Sequence, residues 1–86
     1  MPEISRFYGI IIAMFFSEHA PPHFHARYGG ENISIEIATL KVLDGSIAPR
    51  ALGLVMEWAS QHKDELTRDW ELARKDKAPD KIEPLQ

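Results

Sequence analysis

The sequence predicts an α+β fold: an antiparallel β-meander of three or four strands with a long C-terminal helix packed on one face. Three observations carry this. Residues 22–28 and 31–38 alternate apolar and polar around Gly29-Gly30, as half-buried strands of a hairpin do. The run "GIIIAMFF" at 9–16 is apolar at both parities, the pattern of a strand covered on both faces. From Arg50 to Lys75 there is no proline, and apolar residues recur every three or four positions, which marks one face of a helix.

Taken in order, Glu3 to Phe16 reads as one extended segment with Gly9 as a bend or bulge. Gly29-Gly30 suits a two-residue turn with positive φ at both positions. Counting outward from it pairs Ala26 with Ile33, Phe24 with Ile35, His25 with Ser34 and His23 with Glu36. The side-chain period of two makes that partition strict. One face is then Phe24, Ala26, Tyr28, Ile33, Ile35 and Ile37. The other carries His23, His25, Arg27, Ser34 and Glu36. Lys41 to Asp44 adds a short fourth strand, ended by the Asp44-Gly45 turn signal. Ser46 to Pro49 reads as a helix start, a cap-type residue followed by proline in the first turn. The helix stripe is Leu52, Val55, Ala59, His62, Leu66, Trp70 and Ala73. Asp64 with Arg68 and Glu71 with Lys75 are acid-before-base pairs on its exposed side. The helix is long for so small a sheet, so it bends near His62 to Asp64 or divides in two. The whole chain, 1–86, reads as one domain, with 77–86 an extended tail that Ile82 and Leu85 pin to the body.

Eighty-six residues bury only about 60% of the unfolded surface, so a partner surface would help stability. Strand 9–16 has apolar side chains on both sides and the helix covers one, so a homodimer is expected. The composition, 44% hydrophobic and 27% charged, is that of an ordinary globular chain. A net charge of −3 leaves no basic excess for tight non-specific nucleic-acid binding. The lack of cysteine excludes disulfides and thiolate zinc sites. The run Phe7 to Phe16 is shorter than the roughly 20 residues that cross a bilayer. Glu3 before it, and no small-residue cleavage site after it, argue against a signal peptide. A cytoplasmic protein with no membrane partner is the expectation.

Chemistry concentrates in "SEHAPPHFHARYGG", where three of the four histidines lie. His23 and His25 project from one face of a strand. His19 swings over from the loop, and Glu36 across the ladder serves as a further ligand or orients a ring. Imidazoles so spaced suit a zinc-like divalent metal. Without metal, one histidine as base, the other as acid and Arg27 on the phosphate suit RNA cleavage, RNA entering only as substrate. Tyr28 faces the other way. His62 belongs to the helix stripe, behind the sheet, as a hydrogen-bonded boundary residue. Trp58 lies off that stripe and is the candidate partner contact.

The stretches "ISRFYG" (4–9), "PPHFHARYG" (21–29), "RALGLVMEW" (50–58), "WELA" and "KIEPL" resemble a family of small bacterial proteins catalogued as a domain of unknown function. The resemblance spans nearly the whole chain. It implies no activity or catalytic residue. It does imply a context similar to a toxin–antitoxin pair, with a second small protein encoded beside this one. Two functions are therefore carried. The first is a protein-binding component of such a two-gene module. The second is an RNA-cleaving or metal-dependent hydrolase using the histidine cluster.

Overall fold

A computed structural model describes residues 2–86. Among the described residues five strands form one antiparallel sheet in chain order: β1 (Glu3–Phe7), β2 (Ile10–Ala13), β3 (His23–Tyr28), β4 (Glu31–Glu36) and β5 (Val42–Gly45). Two helices follow, α1 (Pro49–Gln61) and α2 (Lys63–Arg74). The α+β class is as predicted, but there are five strands rather than three or four, and two helices rather than one long one.

The extra strand arises at Tyr8-Gly9. Tyr8 has φ 49° and Gly9 φ 80°, and Phe7 pairs with Ile10 across them. Two left-handed residues between paired strand ends make a tight hairpin turn. The segment read as one strand is therefore a hairpin. The β3–β4 register is the one read from the sequence, with Ala26 opposite Ile33, His25 opposite Ser34 and His23 opposite Glu36. Its turn differs in one respect: Gly29 alone is left-handed, at φ 61°. That is the turn type needing positive φ only at its first position.

Ile10, Ile12, Phe24, Ala26, Ile33 and Ile35 lie buried on one side of the sheet, in a core shared with Val55, Trp58, Ala59 and Leu66. Ile11, Phe15, His23, His25 and Ser34, on the other parity, are half-buried. Helix α1 starts at Pro49, with Ala48 and not Ser46 at its cap position. The Ser46 N–H instead donates to Asn32 O, continuing the β4–β5 ladder. Glu31 Oε1 accepts the Ala48 N–H at 3.1 Å.

The helices part at His62, whose backbone (φ −129°, ψ 26°) leaves the helical region. Its N–H reaches back only three residues, to Ala59 O. The division lets Ala51, Val55, Trp58 and Ala59 of α1 and Leu66, Trp70 and Ala73 of α2 all bury themselves. This corrects the reading of Trp58 as the candidate partner contact. The apolar stripe is broader than one row of side chains, and Trp58 is fully buried, its Nε1–H donating to Glu83 O at 2.8 Å. Neither surface pair forms among the described residues; Arg68 Nη2 lies 3.7 Å from Asp80 Oδ2 instead. Residues 77–86 hold no helix or strand. They are tied to the body by Ile82 N–H donating to Ile4 O and Asp80 N–H donating to Asp69 Oδ1.

Candidate metal centre

His23 and His25 stand two apart on β3, so both side chains leave the same face of the sheet. The connection after β2 folds back over them. Ser17, at φ 55°, turns the chain there, and its hydroxyl donates to Asp76 Oδ1 at 3.1 Å, just past α2. Glu18 is thereby brought over the strand. Its Oε1 lies 2.7 Å from His25 Nε2 and 3.5 Å from His23 Nε2. One donor atom from each of Glu18, His23 and His25 falls within 4.8 Å of the other two. Bonds of ~2.1 Å in a tetrahedral site would set such atoms about 3.4 Å from one another; the 3.5 Å pair already fits, and the 2.7 Å pair would open slightly to admit an ion.

The other ring nitrogens are engaged as ligating histidines require. His23 Nδ1–H donates to Pro21 O at 2.7 Å. In a neutral ring that leaves Nε2 as a lone pair facing the Glu18 carboxylate, acceptor against acceptor. A cation placed between them would satisfy both. His25 Nδ1 lies 3.2 Å from Ser34 Oγ. With its proton there, Nε2 is free for an ion; with the proton on Nε2, it donates to Glu18. Aromatic rings brace both: Phe15 packs edge-on against His25 at 4.4 Å between centroids, and Trp70 of α2 against His23 at 5.1 Å. The His23 side chain is 12% exposed, held but reachable. Burial pushes the Glu18 carboxyl up, but the His25 hydrogen bond and the charges of His25 and His23 outweigh it. The net effect holds the group below its ordinary value.

The side chains that converge differ from those expected at two positions. His19 is exposed and stands outside the cluster. Glu36 is opposite His23 in register, yet it accepts the Thr39 hydroxyl at 2.8 Å. The reason is the His23 ring, which turns toward the folded-back connection, where Pro21 O holds it. Glu18 occupies the place given to both. Arg27 shares the face of His25, is exposed, and makes no ion pair among the described residues. Tyr28 lies on the opposite side, over Gly9. His62 is remote from the cluster, its Nδ1 bonded to Glu65 and its ring against Trp58 at 5.3 Å.

Glu18 and Trp70 were missed as site residues. Glu18 sits five residues before His23 in the same proline-bearing stretch. That spacing was available, but nothing periodic told which way the connection folds.

A depression of about 240 Å³ adjoins the cluster, with His25 as a shared wall. Two imidazoles and one carboxylate, open on one side, are the donor set of a site that keeps a position for water or substrate.

The family described as a domain of unknown function (DUF4160) matches residues 9–71, a span that includes Glu18, His23, His25, Arg27 and Trp70. No curated protein and no solved structure matches the chain.

Proposed function

The chain belongs to this family of unknown function, and from that premise we propose a role argued from the site: Glu18, His23 and His25 bind a zinc-like divalent ion that serves hydrolysis. The observation that carries this is the convergence of the three donor atoms within 4.8 Å, with both Nδ1 atoms already engaged. Glu18, His23 and His25 would hold the ion, and the chemistry it would supply there is the acidification of water toward neutrality. In hydrolysis the water oxygen adds to the acyl or phosphoryl centre, the ester bond breaks, and the alcohol leaves carrying a proton.

Zinc titration of chelator-treated protein tests the reading. Wild type binds zinc with a micromolar or tighter dissociation constant. Glu18→Gln weakens binding by at least about ten-fold, and His23→Ala with His25→Ala abolishes it. His19→Ala and Glu36→Gln bind as wild type does. Equal affinity in wild type and the double histidine variant overturns the proposal.

A second reading is a protein-binding component of a two-gene, toxin–antitoxin-like module in the cytoplasm. It is favoured by β5, an edge strand exposed along its whole length, with Val42 and Leu43 on it. Edge strands with free backbone groups are templates for a partner's strand. Copurification with the neighbouring gene product, undiminished by the two histidine changes, is its mark.

A further inference from the structure

Resting on the metal reading, the depression beside the cluster allows its substrate to be classed. Its walls are Ile11, Ala13 and Phe15 on one side, and His25, Arg27 and Asn32 on the other. The first three are apolar and half-buried or buried. They suit a flat uncharged group and offer it no hydrogen bond. The polar wall begins at His25, the one proposed ligand that lines the depression, so a group bound at that end reaches the cluster past the His25 ring. Arg27 follows two residues along the same strand face, roughly 7 Å further on. Its guanidinium has no carboxylate partner among the described residues. A divalent ion on one carboxylate, with a free guanidinium beside it, leaves this end of the depression net positive. A neutral carboxylic ester has no use for that charge. A phosphate ester does, since guanidinium pairs with phosphate oxygens in bidentate fashion. The depression is small, about 240 Å³, and the net charge of −3 disfavours a long polyanion.

We propose that the site takes a small phosphate ester, its phosphate between the metal position and Arg27 and its flat apolar group against Ile11, Ala13 and Phe15. Calorimetry on zinc-loaded protein tests this with adenosine 5′-monophosphate, adenosine and inorganic phosphate as probes. The monophosphate binds at least ten-fold tighter than adenosine, which lacks the charge, and than phosphate, which lacks the flat group. Arg27→Gln, a change at an exposed position, lowers monophosphate affinity about ten-fold and leaves zinc affinity unchanged. Ile11→Glu lowers it as well by placing a like charge on the apolar wall. Equal binding of monophosphate and adenosine, or wild-type affinity in Arg27→Gln, overturns this inference while zinc binding stands. Failure of wild type to bind zinc removes the metal reading and this inference with it.

Discussion

A β-carbon at Gly45 would stand 2.2 Å from the carbonyl oxygen of Asn32, inside any allowed contact, and the residue is left-handed at φ 79°. Both facts forbid a side chain, and the atom in the way is backbone that β4 holds in the ladder. Gly45→Ala is therefore expected to destabilise by more than the ~1 kcal/mol of an ordinary misplaced alanine, read as a lower denaturant midpoint with unchanged slope. An unchanged midpoint would mean that the β4–β5 pairing gives way freely. The sequence shows Asp44-Gly45 as a turn but not this close approach, which comes with the pairing of Gly45 opposite Ile33. The site was legible in the same partial manner. His23, His25 and Arg27 fall on one face because strand alternation is a local rule. Glu18 was hidden because its position depends on how an aperiodic connection folds over the strand. Trp70 reads from the sequence only as helix stripe, and Trp58 falls outside that row because the buried stripe is wider than a single row of side chains.

At the scale of elements, the β3–β4 hairpin was readable to the residue because a glycine pair and strict alternation both specify it. The β1–β2 hairpin was not, since tyrosine at the first turn position carries no turn signal and the flanking run is apolar at both parities. The tail is fastened by an element the pattern does not reveal, a buried charged residue in α2. Asp69 is 1% exposed, with Oδ1 accepting the Asp80 N–H and Oδ2 unpartnered among the described residues. Burial pushes its carboxyl up from an ordinary value near 3.8 to about 6. The Asp80 backbone bond and Arg68 oppose the rise, while the charges of Asp80 and Glu65 add to it. A carboxyl with a raised folded pKa favours the folded state in its protonated form. Its contribution is full below its unfolded pKa, near ~3.9, and is lost as pH rises through about 6. Asp69→Asn keeps the Oδ1 acceptor and removes the titration. The difference in melting temperature, variant minus wild type, is thus expected to grow more positive from pH 4.5 to pH 7. A difference constant with pH would show that Asp69 does not titrate in that window.

For the whole molecule, the question is which surfaces a chain this small leaves unsatisfied. The two edges of the sheet are treated differently. Along β1 the tail lies close, with Ile82 N–H donating to Ile4 O. Along β5 nothing lies outside the strand among the described residues, and Val42 and Leu43 are 37% and 40% exposed there. An open edge pairs readily with a like edge, and two-fold self-pairing is the commonest way a soluble chain associates. The expected self-association is therefore antiparallel β5 against β5, continuing the sheet through the two-fold axis, rather than face-to-face burial of Ile11 and Phe15. In-plane pairing leaves the open face, and with it Glu18, His23 and His25, accessible in both copies. Light scattering at micromolar concentration is expected to give twice the chain mass. Val42→Lys with Leu43→Lys should give the single-chain mass with zinc affinity unchanged, because lysine on an edge opposes pairing without touching the cluster. A wild-type monomer would sink the pairing and leave the edge to a different partner. A dimer that persists in the lysine variant would place the contact elsewhere than on β5.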